Sequence, residues 1–376
     1  MWQIKTIMKM VSAVLTFLFM PTVMLAHYVP GNEFAVTNAT VLPMIVETKG
    51  PVRAPAPIKS STDVPVSGQG FWKFAAARDL MPVPAGITHE QLTNAHGTII
   101  VDQRSGIAYW GLQGVGWIGF SNGLRSSWIV QGNAAFTNGN MHGADILPRG
   151  HKPPLIAAAD NISGKIYLTD THFHDVESLG VPDFGVYATN KSFRPTDVAF
   201  VNEHELWVVD GYARQRFLPV EDPPLHWRGD FYGGKRFSAT LHGVTYDQPH
   251  DDLLFSARPE GELKRVTRRD LRAKEVLGLP AGTLLCDVDV WGDYALAACL
   301  EGPNKTPGPL HIINLKKRAM VATIRPKEEL GYADADHMHD AAWYVVGRGR
   351  NVEVYILFTN WRPGGIGALK LVNQPD

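Results

Sequence analysis

The chain has 376 residues, of which 45% are hydrophobic, and a formal net charge of −1 at pH 7. A balanced charge with neither a basic stripe nor an acidic tail argues against nucleic acid or an anionic membrane surface as the main partner. The 36 glycines and 26 prolines supply many turns, and long runs at helical spacing are scarce after residue 26, so the chain is predicted to be one large all-β protein.

Residues 1–26 are predicted to be a secretory signal peptide. Lys5 and Lys9 precede an uncharged apolar run that ends at Ala26, the most plausible cleavage position. An uncleaved membrane anchor is the alternative, because the run is near the short limit for a membrane span. Both interpretations predict a secreted or periplasmic protein, with no integral membrane domain beyond this N-terminal segment.

Residues 27–90 are predicted to form an extended arm and a connector. The arm is rich in proline and contains one β-prone run, Thr40 to Glu47, which suits an extended segment better than a domain. This run is expected to pair with the last sheet of the chain, because an unpaired strand edge favours aggregation. The stretch from Gly70 to Leu92 is interpreted as a short connector.

Residues 91–376 contain six related units. In the clearest one, Leu241 to Val266, an apolar β-branched run passes through a tight turn into a second and a third run. The six units begin at Ala95, Met141, Pro195, Leu241, Cys286 and Met338. A period of roughly 45 to 55 residues is typical of propeller blades, so the fold is predicted to be a six-bladed β-propeller.

Histidines open alternate units. His142, His242 and His339 begin the second, fourth and sixth units, and they are 100 and 97 residues apart. Alternate blades of a six-fold ring are related by about 120°, so equivalent positions converge on the axis. Three imidazoles with an open fourth position describe a catalytic zinc centre. His96 begins the first unit similarly and is expected to line the channel and contact substrate without binding the metal.

The chain has two cysteines, Cys286 and Cys299, which flank a predicted strand pair in the fifth unit. In an oxidising compartment they are expected to form a disulfide across this hairpin. Two free buried thiols are the alternative.

The order of these residues is similar to that in a known family. Tyr212 lies in the loop DGYARQRF, between His142 and His242 in the sequence. Arg258 follows His242 in the stretch SARPEGEL. The chain here resembles the lyase domain of peptidylglycine α-amidating monooxygenase, a six-bladed propeller related to NHL-repeat proteins. The resemblance covers roughly residues 95–372, and much of it is general NHL patterning.

The resemblance implies roles for individual residues. His142, His242 and His339 would hold zinc, Tyr212 would be the catalytic base, and Arg258 would bind substrate in the active site. The family also binds a structural calcium through the aspartate after the third histidine and through a carbonyl two residues after the first. Those positions are Asp340 and Ala144 here.

One element of the family pattern is missing. The family has a further active-site arginine in the first blade, where this chain has Leu112 and Gln113. Loss of that guanidinium removes a bidentate carboxylate partner, so the substrate need not be a peptidyl-α-hydroxyglycine. Arg362, in the WRPGG loop of the sixth unit, is either its substitute in substrate binding or a solvent-exposed loop arginine.

Three classes of function follow from this pattern. The first is a zinc-dependent carbon–nitrogen lyase that acts on a hydroxylated small molecule or peptide and releases an aldehyde. The second is a metal-dependent hydrolase that uses the same histidines, and the third is a non-catalytic NHL-like propeller that binds a partner. The fold alone does not decide among them.

Overall fold

The structure, a computed structural model, describes residues 64–130, 134–235, 237–347 and 352–372. The predicted signal peptide and the β-prone run Thr40 to Glu47 lie outside the described residues. The described residues form six antiparallel sheets, each of four or five strands. They are arranged as a six-bladed β-propeller, which confirms the predicted fold.

Blades 1 to 3 follow one another along the chain, and the first strand of each blade lies innermost. Blade 1 contains β3 (Ile99–Asp102), β4 (Ile107–Leu112), β5 (Gly116–Ser121) and β6 (Ser126–Ile129). Blade 2 contains β7 (Met141–Arg149), β8 (Lys152–Asp160), β9 (Lys165–Asp170) and β10 (Glu177–Leu179). Blade 3 contains β11 (Asp197–Asn202), β12 (Glu205–Asp210), β13 (Arg216–Glu221), β14 (His226–Trp227) and β15 (Tyr232–Gly233).

Blades 4 to 6 repeat this plan. Blade 4 contains β16 (Leu241–Asp247), β17 (Asp252–Ala257), β18 (Glu262–Thr267) and β19 (Ala273–Gly278). Blade 5 contains β20 (Leu284–Trp291), β21 (Tyr294–Glu301), β22 (Leu310–Asn314) and β23 (Ala319–Ile324). Blade 6 contains β24 (Met338–Val346), β25 (Glu353–Asn360) and β26 (Gly365–Leu371), together with β1 (Val66–Gln69) and β2 (Trp72–Ala76).

Helices in the described residues are short. They are α1 (His89–Thr93), α2 (Ala134–Thr137), α3 (Gly185–Thr189) and two single-turn 3-10 helices at Gln248–His250 and Pro303–Lys305. A capping box at Thr88 and Gln91 begins α1, because each side chain satisfies a backbone amide of the other residue. None of these helices has the length and apolar character needed to cross a membrane.

Apolar layers between neighbouring blades hold the ring together. Six buried clusters lie one at each junction between blades, including the junction of blade 6 with blade 1. Between blades 3 and 4, for example, the Phe217 and Phe255 ring centroids are 5.1 Å apart. Each fully buried aromatic side chain contributes about 1.5–3 kcal/mol of burial free energy. Because the middle strands are covered on both faces, their sequences are continuous apolar runs rather than alternating ones.

Blade 6 joins the two ends of the described chain. β2 pairs antiparallel with β26, with Phe74 opposite Leu371, and Phe74 is fully buried. Residues 27–90 were predicted to be an arm and a connector, whereas β1 and β2 of this stretch belong to the sheet of blade 6. These residues were misread because the partner of β2 lies almost a whole chain length away, and no local pattern reports such a pairing.

Candidate metal centre

His142, His242 and His339 converge at one end of the central channel. Each is the second residue of an inner strand, and each is almost fully buried. The register between the inner strand and its neighbour shifts at each histidine. Such a bulge re-aims a side chain out of the ordinary alternation, and here it directs the imidazole toward the axis. The sequence predicted that these three histidines converge on the axis, and the structure places them there. It also shows that a bulge accompanies each of them.

The ring nitrogens lie at distances suited to a shared metal ion. His142 Nε2 is 3.2 Å from His339 Nε2, and the His142 and His242 ring centroids are 4.7 Å apart. Two nitrogens bound to one tetrahedral zinc ion at about 2.0–2.1 Å are separated by about 3.3 Å. His142 and His339 therefore fit one divalent metal, and His242 shares a second group of close donor atoms with His339.

The protonation states of the histidines also fit a metal. His142 Nδ1 donates to the Thr196 carbonyl at 2.7 Å, and His242 Nδ1 donates to the Cys286 carbonyl at 2.9 Å, so each Nε2 presents a lone pair inward. Burial is the main cause that lowers the pKa of all three imidazoles, and neighbouring His96 and Arg258 lower it further. Neutral imidazoles oriented by backbone carbonyls are the usual state of metal-binding histidines.

Tyr212 lies between two of these histidines. Its Oη is 3.1 Å from His142 Nε2 and 3.0 Å from His242 Nε2. A single hydroxyl proton cannot satisfy two inward lone pairs at once. Arg258 Nη2 donates to the same Oη at 3.2 Å, so the predicted pair of Tyr212 and Arg258 does meet the histidines.

The loop that presents Tyr212 is held by Asp210. The buried Asp210 carboxylate accepts from the Arg194 amide at 2.9 Å and from the Tyr187 hydroxyl at 2.7 Å. Gly211 follows, and a Cβ at this position would overlap the Leu241 carbonyl oxygen of the next blade. The sequence Asp-Gly-Tyr is thus needed to bring the phenol against the inner strand of blade 4.

The pKa of Tyr212 depends on two opposing effects. Burial raises it above 10.0, while the Arg258 guanidinium lowers it, and burial has the larger effect. Deprotonation of Tyr212 at ordinary pH therefore requires the charge of a cation in addition to Arg258.

Cys286 lies inside this cluster and forms no disulfide. Both Cys286 and Cys299 are buried free thiols, so the predicted disulfide is wrong and the alternative of two free thiols is correct. Cys286 Sγ is directed toward the histidines, 3.9 Å from His242 Nε2, whereas Cys299 packs among apolar side chains between blades 4 and 5. The two side chains point to different places although their strands are neighbours.

His96 and Arg362 lie at the rim of the cluster. The His96 ring centroid is 4.6 Å from that of His142 and 4.4 Å from that of His339. One donor atom from each of these three side chains lies within 4.8 Å of the others, so His96 is placed as a possible ligand as well as a channel residue. Burial, Arg258 and Arg362 lower the pKa of His96 to about 3.

Two further residues, Trp361 and Arg194, lie near the cluster and were not among the predicted site residues. The Trp361 ring lies 5.1 Å from the His96 ring, and the Arg362 guanidinium lies over Trp361 at 4.9 Å. The Arg194 guanidinium carbon is 5.8 Å from the Tyr212 ring centroid. In the first blade, the positions of Leu112 and Gln113 provide no cation, so Arg194, Arg258 and Arg362 are the guanidinium groups that act on this cluster.

The predicted calcium residues line a separate cavity below the histidines. This cavity has a volume of about 210 Å³, and all six inner strands contribute to its wall. Its ionisable residues are Asp145, Asp197, Asp287, Asp289 and Asp340, and Ala144 lies beside them. Oxygen donors of this kind suit calcium. Burial raises the pKa of all five carboxyls, to about 6 for Asp145 and about 7 for Asp289.

Most of these carboxylates also join neighbouring blades. Each of four accepts a hydrogen bond from a backbone amide of the next blade around the ring. The pairs are Asp145 with Phe200, Asp197 with Val244, Asp289 with Trp343 and Asp340 with Ile99. Asp340 is therefore a structural link between blades 6 and 1, whether or not it binds calcium.

Glycine after a histidine is required by the neighbouring blade. A Cβ at Gly143 would overlap Asp197 Oδ1 and the Thr196 carbonyl oxygen, the same carbonyl that orients His142. Gly143→Ala is expected to reduce the free energy of unfolding by about 1–3 kcal/mol through overpacking and to weaken metal binding. Chemical denaturation and metal titration measure the two effects.

Gly180→Ala is the matched control, because nothing lies within 4 Å of a Cβ added there. If the Gly143→Ala and Gly180→Ala proteins had the same free energy of unfolding and the same metal affinity, the close approach of blades 2 and 3 at Gly143 would be contradicted.

Comparison with known proteins shows the fold. No family model matches the sequence, and no curated protein matches it significantly. Solved structures do match. A gluconolactonase from Xanthomonas campestris, XC5397, is 12% identical, with a TM-score of 0.55 over 83% of this chain and 96% of that one.

Two further solved structures match over most of their length. A luciferin-regenerating enzyme is 9% identical, with a TM-score of 0.50 over 76% of this chain and 92% of that one. The WD40 repeats of RRP9 are 8% identical, with a TM-score of 0.52 over 82% of this chain and 99% of that one. These identities support a shared propeller fold and no shared chemistry. None of the three is an amidating lyase, so the resemblance to that enzyme stays a prediction, and the chain is placed by structure among the six-bladed β-propellers.

Proposed function

We propose that the chain is a metal-dependent lyase that cleaves a hydroxylated carbon–nitrogen linkage and releases an aldehyde. One observation carries the proposal: Tyr212 Oη lies within hydrogen-bond distance of His142 Nε2, His242 Nε2 and Arg258 Nη2. A general base, a cationic partner and a set of metal donors are thereby within reach of one small substrate group. A water-activating hydrolase would use the same metal donors, and product analysis separates the two classes.

The reaction can be assigned to residues of the chain. His142, His242 and His339 would hold the metal, and a bound zinc ion would supply a Lewis acid that lowers the pKa of a substrate hydroxyl. Tyr212 accepts the hydroxyl proton, and the oxygen then forms a double bond to carbon as the carbon–nitrogen bond breaks. The bonding electrons go to the nitrogen, which takes the proton back from Tyr212. The products are an amide and an aldehyde, and no proton is gained or lost overall.

Arg258 has two proposed roles, which are to lower the pKa of the base Tyr212 and to bind the substrate. It is half-buried, and its positive charge lowers the pKa of Tyr212. The guanidinium remains protonated throughout the accessible pH range. Arg194 and Arg362 are exposed near the same cluster, and neither has a carboxylate partner among the ion pairs of the described residues. They are proposed to replace the missing first-blade arginine in holding an anionic group of a small-molecule or peptide substrate.

Two further parts of the proposal rest on other regions. A structural calcium ion at Asp340 and Ala144 is proposed from the carboxylate-lined cavity and from the family resemblance. Secretion or periplasmic location is proposed from the sequence of residues 1–26 alone.

The test is product analysis with a panel of N-acyl-α-hydroxy amines, with and without a carboxylate on the hydroxylated carbon. Trapping with a hydrazine is expected to show one aldehyde per amide formed. Chelation should abolish the product and added zinc should restore it, while the unhydroxylated parent compounds should give none.

The other function classes give different results. Metal-dependent cleavage of lactones or esters without a carbonyl product would establish the hydrolase. Stoichiometric metal with no turnover of either panel would favour the non-catalytic propeller and would contradict the lyase.

A further inference from the structure

Six equivalent positions surround the end of the channel where the histidines meet. Each lies at or near the start of an inner strand and is followed by a glycine or an aspartate. The six residues are His96, His142, Thr196, His242, Cys286 and His339. The residues that follow them are Gly97, Gly143, Asp197, Gly243, Asp287 and Asp340. Cys286 thus has the same place in blade 5 that His339 has in blade 6.

The backbone at Cys286 has the same irregularity as the backbone at the histidines. The register between β20 and β21 shifts between Leu285 and Asp287, as the register of blade 6 shifts between Met338 and Asp340. The Cys286 carbonyl accepts from His242 Nδ1 at 2.9 Å. The bulge therefore aims the thiol at the axis, and the hydrogen bond locks the cysteine to one of the metal donors.

The contacts of the thiol are those of a metal ligand. Cys286 is fully buried, and its Sγ is 3.9 Å from His242 Nε2 and 3.1 Å from Arg258 Nη2. Donor atoms of His242, Cys286 and His339 lie within 4.8 Å of one another. A sulfur and a nitrogen bound to one tetrahedral zinc ion at about 2.3 and 2.0–2.1 Å are separated by about 3.6 Å, close to the separation seen here.

We propose that Cys286 is a direct metal ligand, so that the centre has mixed histidine and thiolate donors and selects a thiophilic cation such as zinc. Binding replaces the thiol proton with the metal, and the proton is released to solvent. Burial raises the pKa of the Cys286 thiol, and the adjacent Arg258 guanidinium opposes this rise, so the charge of the metal is needed to hold the thiolate. Calcium, magnesium and manganese, which prefer oxygen donors, are disfavoured at this position. The inference shares His242 and His339 with the proposed function, and an ion held by these two and Cys286 keeps a fourth tetrahedral position open for the substrate hydroxyl.

His339 belongs to both donor groups, the one with His96 and His142 and the one with His242 and Cys286. The two groups therefore meet at His339, and the group with Cys286 supplies one sulfur and two nitrogen donors. A thiolate in this centre gives the bound ion a lower net charge than histidines alone, which moderates its Lewis acidity.

Cobalt(II) is the probe for the test. The purified full-length protein is loaded with one equivalent of Co²⁺, and its near-ultraviolet absorption is recorded. A strong sulfur-to-cobalt charge-transfer band is expected in the wild type and is expected to be absent in Cys286→Ser. Cys299→Ser is the matched control, because this second buried cysteine packs in an apolar cluster and its thiol contacts the Ala297 carbonyl, and it should keep the band unchanged.

X-ray absorption of the zinc-loaded wild type makes the test independent of whether Cys286→Ser folds. A sulfur scatterer at about 2.3 Å supports the proposal, and a shell of nitrogen and oxygen alone overturns it. Metal that binds in a His339-dependent manner without a sulfur ligand overturns the role of Cys286 while leaving the histidine centre intact. Failure of the wild type to bind any metal overturns the proposed function as well.

Discussion

Replacing His142 by alanine is expected to lower the metal affinity of the protein by more than about 100-fold. The reason is that loss of a mere hydrogen-bond partner of a metal ligand already costs about 10- to 100-fold in affinity, and His142 is an inward-facing donor itself. Metal content after dialysis, measured by mass spectrometry, is expected to fall from one equivalent to a small fraction. Product formation should fall in parallel.

His151→Ala is the control for this experiment, because His151 is an exposed histidine of the same blade. His142→Gln preserves side-chain volume and separates loss of the donor from formation of a cavity. Stoichiometric metal in the His142→Ala protein would rule out the proposed centre.

Tyr212→Phe is expected to reduce turnover by about 10²- to 10⁴-fold, the usual contribution of a general base, while the metal content stays at the wild-type level. The substitution removes only the phenol hydroxyl, which is the proton acceptor, and leaves the metal-binding histidines in place. Turnover of the wild type should rise with pH through the pKa of Tyr212, because only the deprotonated phenol accepts a proton. Burial raises this pKa and Arg258 lowers it, so Arg258→Gln should move the rising limb to higher pH.

Tyr232→Phe provides the comparison for Tyr212→Phe. Tyr232 belongs to the same blade, and its hydroxyl contacts Asp230 and Arg228 away from the histidines. Both variants should unfold at temperatures close to that of the wild type. Equal turnover of the two variants would remove Tyr212 from the reaction, and loss of metal in Tyr212→Phe would instead make it a structural support of the centre.

The repeat was enough to predict the ring and the three histidines. A spacing of 100 and 97 residues means two blades each, and the geometry of a closed six-bladed ring then requires His142, His242 and His339 to meet. Tyr212 and Arg258 were predicted through the resemblance to a family, and the structure places both on the same cluster.

Other features depend on contacts that the sequence pattern does not encode. Cys286 was paired with Cys299 because two cysteines on neighbouring strands suggest a disulfide, yet their side chains leave the sheet in different directions. A usable signal was present: Cys286 precedes Asp287 as His339 precedes Asp340. Arg194 was missed because a long side chain reaches Tyr212 from a loop, and strand periodicity does not report such a reach.

The pairing of β2 with β26 has a consequence for how the chain folds. Blades 1 to 5 each consist of one continuous segment, so each can form as soon as its own residues are available. Blade 6 requires Phe74 to meet Leu371, nearly 300 residues later, and contacts of such long range form slowly because loop-closure entropy opposes them. Synthesis proceeds from the N-terminus. Strand β2, with Trp72 and Phe74, therefore cannot pair with β26 until the last residues of blade 6 have been synthesised. Completion of the ring, and with it the alignment of His339 against His142, is therefore expected late in folding.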